Sequence, residues 1–388
     1  MSSLLYDSVC LTGGDEFAGA NFRTPRKSSS KRTSMRLIIH SNQYCRRGDA
    51  VNARHLALGL KLHYGVESLL VADAKNRNND LEVIENLRSE GMGVSLYSSL
   101  TELNKLAESF EATHAYFLKN GRFDGVYIKG IPNLIHAVFQ HFEPHGDKYV
   151  YVSDWLFDHT IKTKSHKSWL TSYPRWLRIK LSSGTPYFPT RKVPLDYCPS
   201  VVELPPPDPN FRIREIYSIP GDSLIIGRFG GREEFNDPAG HRAVKEMLSK
   251  REDIFFVFFN TNKFVDHQRV IFVDEYITEA QKSSVINDCS LLLNCRLAGE
   301  SFGFSICEAL AMGKPIVAPN LVRNPAMDAH HLDLLEGLDL LYDASSDLVE
   351  KIERALMAPP NPTELKRRVA KFSSEAVSKR MHSILLSM

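Results

Sequence analysis

Paired cysteines are missing from this chain of 388 residues. Its six cysteines are scattered, with no C-x-x-C pair and no histidines at zinc-finger spacing, which argues against a zinc module and a dense disulfide framework. Long apolar runs are also missing, because the most apolar stretch, IFFVFF at 254–259, is far too short to span a bilayer. The first residues show no basic start followed by an apolar core, so we expect no signal peptide, no transmembrane segment and a cytoplasmic protein.

A strong net charge is lacking as well, since the formal net charge at pH 7 is +2. This balance argues against a dedicated nucleic-acid binder. Residues 1–36 contain six basic and three acidic residues, and the rest of the chain is close to neutral. Residues 1–34 have no hydrophobic periodicity, so we expect a disordered basic tail there. A basic arm that binds nucleic acid or a membrane surface is the less favoured alternative for these residues.

Strand-like and helix-like segments alternate through the rest of the chain. The first strand is MRLIIHS, and the apolar spacing that follows indicates a helix ending near Gly65. Further on, FDGVYIKG and KYVYVSDW are expected as strands on either side of a helix in IPNLIHAVFQHF. A second series starts at DSLIIGRFGG, after the proline-rich connector CPSVVELPPPDPNFR. This alternation predicts two α/β domains, each with a parallel sheet and helices on both faces.

The expected boundaries follow from these patterns and from the length of the chain, which is suited to two domains. The predicted parts are a basic tail at 1–34, a first Rossmann-like domain at 35–200, a proline-rich linker at 201–219, a second Rossmann-like domain at 220–360 and a C-terminal helix at 361–388.

Two glutamates flank a predicted helix start in GESFGFSICEALAMGKPIVAPN, residues 299–320, with seven residues between them. Ligands of open α/β sheets bind where strands run into helices, and the free N–H groups of a helix start suit a phosphate. Gly303 lets the backbone approach a ligand closely. In such a site Glu300 would bind hydroxyl groups of a sugar, and Glu308 would accept hydrogen bonds from a ribose diol. The alternative is that Glu300 and Ser301 cap the helix and that Glu308 is a solvated surface residue.

The same stretch resembles the donor-site motif of retaining glycosyltransferases with the GT-B fold, in particular of the large family 4 (group 1). That motif reads E-x(7)-E, with E-G-F-G followed by E-A-(L/M)-A-x-G-x-P-V-(V/I), and Ser301 replaces its first glycine here. SLIIGRFGG is also similar to the family, and Arg228 corresponds to its diphosphate-binding arginine. FSSEAVSKRM resembles the closing helix that crosses back onto the first domain. The resemblance is strong over residues 200–388 and mainly architectural over 35–200.

The chain departs from this family at one position. Many members have a lysine five positions after the arginine, and Glu233 occupies that position here. The sequence GRFGG resembles a subgroup of this family that lacks the lysine. The resemblance therefore still implies glycosyltransferase activity. Arg232 is a candidate to supply the missing charge, and an exposed surface arginine is the equal alternative.

The resemblance implies an α/β protein of the GT-B fold, with two Rossmann-like domains facing across a cleft. It implies a metal-independent, retaining transfer of a hexosyl or pentosyl unit from a nucleoside-diphosphate sugar, of the UDP or GDP type, to a glycan or glycoconjugate, without a cofactor. Arg228 and the SFGF amides would stabilise the departing diphosphate, Glu300 would orient the donor sugar and Glu308 would bind ribose. The chain has no Asp-x-Asp, which metal-dependent transferases of the other major fold normally show. The alternative is a catalytically degenerate relative that binds a nucleotide or glycan.

The remaining candidate residues lie at predicted strand ends. The donor-binding set is completed by Ser301, Phe302, Gly303, Gly230, Arg232, Asn260 and Thr261, and the cleft or acceptor set is Gly48, Arg47, Asp49, His145 and Asp154. An ordinary strand–helix loop is the equal alternative for residues 47–49. WLTSYPRWLRIK at 169–180 combines aromatic and basic residues. A peripheral membrane or glycan contact is considered there, and a partly buried helix is favoured.

Overall fold

Two parallel β-sheets form the framework of the structure, a computed structural model. It describes residues 34–46, 48–164, 169–321 and 327–388, without the side chains of Asp49 and of residues 169–171. The predictions for residues 1–33 and for Arg47 therefore lie outside the described residues.

The first sheet is built from the first half of the described chain. Its strands are β1 (Arg36–Ser41), β2 (Glu67–Asp73), β3 (Gly93–Tyr97), β4 (His114–Lys119), β5 (Asn133–Ala137), β6 (Lys148–Tyr151) and β7 (Leu195–Tyr197). The accompanying helices are α1 (Gly48–Tyr64), α2 (Leu81–Ser89), α3 (Leu100–Ser109), α4 (Asp154–Lys164) and α5 (Trp169–Ser183). The strands lie in the order β3-β2-β1-β4-β5-β6-β7, and each pair is parallel.

Local sequence signals explain how these elements begin and pack. Leu37, Ile38 and Ile39 of β1 are fully buried, as expected for a central strand with helices on both faces. Asp80 caps α2 by accepting a hydrogen bond from the Glu82 amide at 3.0 Å, and Ser99 caps α3 in the same way.

The second sheet follows an irregular stretch that contains the proline-rich connector. Its strands are β8 (Leu224–Arg228), β9 (Ile254–Phe259), β10 (Val270–Val273), β11 (Leu291–Leu293), β13 (Ile316–Pro319) and β15 (Leu341–Tyr342), while β12 (Gly299–Glu300) and β14 (Asp328–Ala329) pair separately. Helices of this half are α6 (Ile213–Ile216), α7 (Pro238–Lys250), α8 (Glu279–Asp288), α9 (Phe304–Ala311), α10 (His330–Leu335) and α11 (Ser345–Met357). The sheet order is β10-β9-β8-β11-β13-β15, again with parallel pairs.

Two sequence predictions in the first half are wrong. FDGVYIKG is not a strand, and IPNLIHAVFQHF contains the strand β5 in place of a helix. The preceding HAYFLK supplies β4. All five residues of β5 are buried. A strand buried on both faces is apolar throughout, so periodicity alone does not separate it from a buried helix.

The C-terminal segment forms two helices, α12 (Pro362–Val369) and α13 (Ser374–Leu386), joined by a short 3-10 turn. Helix α13 packs on the first half of the chain. Its Arg380 donates from Nη2 to Asp196 Oδ1 at 2.7 Å and from Nε to the Tyr197 carbonyl. The end of the chain is thereby attached to the edge strand β7 of the first sheet.

None of the described helices combines the length and the apolar character that a bilayer-spanning helix needs.

Candidate functional site

A cavity of about 570 Å³ lies between the two sheets, at the C-terminal ends of their strands. Its first wall includes residues that follow β1 and β4, such as Asn42, Gln43 and Asn120. Its second wall includes residues that follow β8, β9 and β11, together with the start of α9. Parallel α/β sheets bind ligands at this edge, and the volume suits a small molecule of nucleotide size.

The start of α9 opens into this cavity. Gly303 is its N-cap residue, with a φ of +81°, and no side chain of the described residues caps the helix. The Gly303 carbonyl accepts hydrogen bonds from the amides of Ile306 and Cys307, at 3.1 and 2.9 Å. Because Gly303, Phe304 and Ser305 all line the cavity, the partial positive charge of the helix start faces the space that a ligand would fill. The sequence alternative in which Glu300 or Ser301 caps this helix is not what the structure shows.

Glu300 lines the cavity directly before that turn. Its Oε1 accepts from Asn294 Nδ2 at 2.8 Å, and its Oε2 accepts from Arg296 Nη1 at 3.1 Å. Burial raises the pKa of the Glu300 carboxyl, and the charge of Arg296 opposes that rise. Both oxygens are therefore held in a fixed orientation at the cavity wall.

Glu308 is also a cavity residue, and only 2% of it is exposed. Its Oε1 accepts a hydrogen bond from Lys282 Nζ at 2.6 Å. Burial raises the pKa of Glu308 to about 7 even though the ammonium of Lys282 favours the carboxylate. This burial contradicts the alternative in which Glu308 is a solvated surface residue.

Sequence reasoning missed Lys282, which belongs to α8 and lines the same cavity. A signal was present, because Lys282 precedes the buried residues Val285 and Ile286 by three and four positions. Residues at that spacing share a helix face, so a lysine on this apolar face needs a buried partner.

Arg228 ends β8 and is 3% exposed. Its Nη1 donates to Thr261 Oγ1 at 2.8 Å and to the Asn260 carbonyl at 3.1 Å, and its Nη2 donates to the Gly231 carbonyl at 2.8 Å. Burial lowers the pKa of Arg228 to about 10, so the guanidinium stays charged at neutral pH. Thr261 itself does not line the cavity and is connected to it through this hydrogen bond to Arg228.

The glycine-rich loop after β8 fits closely around this guanidinium. Gly230 lines the cavity with a φ of +156°, and a Cβ on it would lie 2.6 Å from Arg228 Nη2. Asn260, another cavity residue, donates from Nδ2 to the Gly230 carbonyl at 3.1 Å. A side chain at position 230 would therefore displace the guanidinium or the loop.

Arg232 does not line the main cavity. It lies in an adjoining depression with Asn260 and Arg46, where its Nη2 pairs with Asp274 Oδ1 at 3.0 Å. Nearly half of the Arg232 side chain is exposed. Of the two sequence alternatives for this residue, the structure favours an exposed arginine over a substitute for the missing phosphate-binding lysine.

The cleft residues predicted on the acceptor side are only partly brought together. Gly48 begins α1 and lines the cavity, and a Cβ there would lie 2.8 Å from Phe304 Cδ2. Arg47 lies outside the described residues, and the side chain of Asp49 is not described.

His145 and Asp154 are not among the residues that line the cavity. His145 is buried in the core of the first half, where its Nδ1 donates to the Glu143 carbonyl at 2.7 Å and burial lowers its pKa to about 4. Asp154 begins α4 and pairs with Lys371 Nζ at 3.2 Å. The expectation that His145 faces the cleft is corrected by this burial, while Asp154 lies at a contact between the two halves.

Further contacts join the first half of the chain to the segments around Glu300, namely to Ser301 and to residues 327–328. Ser153 Oγ donates to the Ser301 carbonyl at 2.7 Å. Gln140 Nε2 donates to Asp328 Oδ1 at 2.9 Å and to the Met327 carbonyl at 3.0 Å. The loops after β5 and β6 thus hold the stretch that carries Glu300.

Within the described residues, no group of three His, Cys, Asp or Glu side chains is arranged to hold a metal ion. His330 Nδ1 donates to the Phe302 carbonyl at 2.8 Å, and His331 Nε2 donates to the Pro319 carbonyl at 2.9 Å. Burial lowers the pKa of both imidazoles. These two histidines support the backbone around the cavity.

Solved structures share this architecture at low sequence identity. Anabaena HepE in complex with UDP-glucose is 13% identical, with a TM-score of 0.61 over 91% of this chain and 100% of that one. A glycosyltransferase from Rickettsia africae is 13% identical, with a TM-score of 0.58 over 91% and 98% of the two chains. S. aureus MnaA in complex with UDP is 11% identical, with a TM-score of 0.53 over 90% and 95%.

Sequence comparison gives no corresponding result, since neither a family model nor a curated protein matches the chain. At these identities the structural neighbours establish the fold alone. The two facing parallel sheets, the cleft at their strand ends and these neighbours together identify an α/β protein of the GT-B fold.

Proposed function

We propose that the cavity is the donor site of a retaining glycosyltransferase resembling family 4, which transfers a hexosyl or pentosyl unit from a nucleoside-diphosphate sugar to a glycan or glycoconjugate. The observation that carries this proposal is the position of Arg228, a buried cation that lines the same cavity as the uncapped start of α9. A diphosphate is the ligand that both features favour.

The charge balance of the cavity supports this assignment. Most cavity cations of the described chain already pair with carboxylates, namely Arg46, Arg54, Lys119, Lys282 and Arg296. Arg228 makes no ion pair with a described residue and is held by carbonyl and hydroxyl oxygens instead. A buried cation without a carboxylate partner is stabilised by an anionic ligand.

The chemistry follows from the same groups. Negative charge develops on the diphosphate as the sugar departs, and a preorganised guanidinium with helix amides stabilises that charge without a metal ion. Glu300 has both oxygens fixed by Asn294 and Arg296, so its proposed role is to orient the donor sugar. Glu308 is proposed to accept hydrogen bonds from ribose.

The donor class and the roles of the two halves belong to the proposal as well. HepE was solved with UDP and with UDP-glucose, and MnaA with UDP, so UDP-sugars are the first donors to test, followed by GDP-sugars. We assign residues 35–200 to the acceptor side and 220–360 to the donor side, with 201–219 as the linker and 361–388 as the crossing segment.

A transfer assay tests this function. Purified protein is incubated with UDP- and GDP-sugars, with a panel of glycan acceptors and with or without EDTA, and nucleoside diphosphate release is measured. Anomeric couplings of the product are read by NMR. We expect a product that retains the donor configuration and a rate insensitive to EDTA, with the rate reduced at least about a hundredfold by Glu300→Gln. Lys250→Met, on the exposed face of α7, is the control.

Three outcomes would contradict parts of this account. An inverted product excludes the retaining mechanism, and a rate abolished by EDTA excludes metal independence. Saturable nucleotide binding with no turnover on any donor and acceptor favours the alternative, a degenerate protein that binds nucleotide or glycan without transferring sugar.

A further inference from the structure

Lys282 lies at the part of the cavity formed by α8 and α9, between two carboxylates. Its Nζ donates to Glu308 Oε1 at 2.6 Å and lies 3.8 Å from Glu279 Oε2. Only 14% of the lysine side chain is exposed, and all three residues line the cavity. A buried cation with carboxylates on both sides is thus placed inside the site to which we assign the donor nucleotide.

We propose that Lys282 is a specificity-determining and positioning residue: together with Glu308 and Glu279 it forms a clamp for the vicinal diol of the nucleotide ribose. This inference rests on the proposed function, because it requires a nucleotide in the cavity. It extends that function to a residue from a different helix, which the donor motif does not contain.

The hydrogen-bonding capacity of the cluster matches a diol. Each hydroxyl of a diol both donates and accepts, whereas a carboxylate only accepts and an ammonium only donates. Among the described residues, Lys282 Nζ makes one hydrogen bond, to Glu308, and its 3.8 Å separation from Glu279 Oε2 is too long for a second. Two N–H groups remain to donate to hydroxyl oxygens.

Glu279 adds an acceptor that lacks a donor. Its Oε2 is buried and has no hydrogen-bond partner among the described residues. A buried acceptor without a hydrogen bond is unfavourable, so a hydroxyl group or a reoriented Lys282 would stabilise Glu279 Oε2. The cluster therefore offers two donors and free acceptor capacity to one ligand.

Lys282 also acts through the charge of Glu308. Burial favours the neutral acid of Glu308, and the adjacent ammonium favours the carboxylate. The other charged or titratable groups around the cluster are Glu279 on α8, His55 and Arg54 on α1, Cys307 on α9 and Tyr276. Without Lys282, Glu308 would hold its proton to a higher pH and would accept fewer hydrogen bonds at neutral pH.

The inference is tested by isothermal titration calorimetry with UDP and 2′-deoxyUDP between pH 6 and pH 9, and with GDP and 2′-deoxyGDP if the wild type selects guanine. We expect the wild type to bind the ribonucleotide at least about tenfold more tightly, since a site built around a hydroxyl rejects the analogue that lacks it. Lys282→Met should reduce this ratio to about threefold or less. In Lys282→Met, the loss of nucleotide affinity that follows protonation of Glu308 should also occur at a higher pH than in the wild type.

Matched variants separate this role from a general effect on folding. Lys282→Arg should retain most of the ribose preference, because it keeps the charge and the donors. Lys250→Met removes an exposed lysine paired with Glu246 and should leave both the ratio and the pH profile unchanged. Circular dichroism monitors folding, and Lys282→Gln replaces Lys282→Met if the methionine variant is unfolded.

The outcomes distinguish this inference from the function on which it rests. If the wild type binds UDP or GDP and Lys282→Met keeps both the ribose preference and the pH profile, the clamp is wrong and the donor site stands. If the wild type binds neither UDP nor GDP, the proposed UDP- or GDP-sugar donor site is wrong, and the ribose clamp proposed for that site is wrong as well.

Discussion

At the scale of single residues, Arg228 shows how the cavity obtains a fixed positive charge. Its guanidinium is held by oxygens of Thr261, Asn260 and Gly231, at the ends of two adjacent strands. These bonds fix the plane of the guanidinium before any ligand enters, so little reorganisation is needed when charge develops there. The arrangement depends on a glycine at position 230.

Gly230→Ala should damage this site directly. Its φ of +156° disfavours a side chain, and the added methyl group would lie 2.6 Å from Arg228 Nη2. We expect nucleoside diphosphate affinity to fall by about tenfold or more, because the guanidinium must move away from its partners. The measurement is calorimetry with UDP and GDP. Gly221→Ala is the control, because no atom of the described residues other than its chain neighbours lies within 4 Å of the added methyl group. Equal affinity of the two variants would contradict the account.

Some of these residues were predictable from sequence and others were not. Glu300, Glu308 and Gly303 stand in a contiguous motif at a predicted helix start, whereas Arg228 was selected through the resemblance of SLIIGRFGG to the family. Lys282 meets Glu308 only through the packing of α8 against α9, which a linear pattern does not encode. His145 was expected to face the cleft because its segment was assigned to a strand end, but aromatic packing keeps it in the core.

At the scale of elements, the packing of α13 on α1 attaches the end of the chain to the first half. A Cβ on Gly59 of α1 would collide with Ser378 Oγ and lie 2.8 Å from Ser374 Oγ. Ser378 Oγ is buried and has no hydrogen-bond partner in the described part of the chain. The absence of a side chain at Gly59 therefore sets how closely the two helices approach.

A double-mutant cycle tests this contact. Gly59→Ala should destabilise the wild type, because the methyl group collides with the serine hydroxyls, at a cost of about 1–3 kcal/mol. In a Ser374→Ala, Ser378→Ala background the same change should become stabilising by up to about 1 kcal/mol, since alanine favours a helix over glycine. The free energy of unfolding from urea titration is the measurement. An equal effect in both backgrounds would show that the helices do not meet at Gly59.

The sequence predicted most elements because amphipathic helices and apolar strands alternate. It failed at β4 and β5, where continuous burial removes the period-2 pattern. It also treated the C-terminal segment as one helix. The break at residues 370–372 arises where Ser373 caps α13 by accepting from the Ala376 amide.

At the scale of the whole molecule, the two halves meet through polar contacts beside the cavity. Gln140, from the loop after β5, donates to Asp328, which pairs in β14 with the strand that holds Glu300. Burial raises the pKa of Asp328 from its ordinary value of 3.8 to about 6. Between about pH 4 and pH 6 the folded protein therefore holds a proton on Asp328 that the unfolded chain releases.

Asp328→Asn should remove this pH dependence. Ionising the buried carboxyl costs stability as pH rises from about 4 to about 6. We expect equal free energies of unfolding for the variant and the wild type near pH 4, and a more stable variant above pH 6. Urea unfolding at pH 4 to 7 measures this, with the exposed Asp222→Asn as the control. A variant that is less stable at pH 7 would mean that the Asp328 charge supports the contact between the halves.

The central claim is that the cavity between the two halves binds a nucleoside diphosphate. Thermal unfolding of the wild type and of Glu308→Gln, with and without UDP, GDP, ADP and TDP, tests it most directly. A ligand at a hundred times its dissociation constant stabilises a protein by about 2.7 kcal/mol, which raises the melting temperature measurably. The account predicts a shift with one of these nucleotides that is reduced in Glu308→Gln. The absence of a shift with any of them would contradict it.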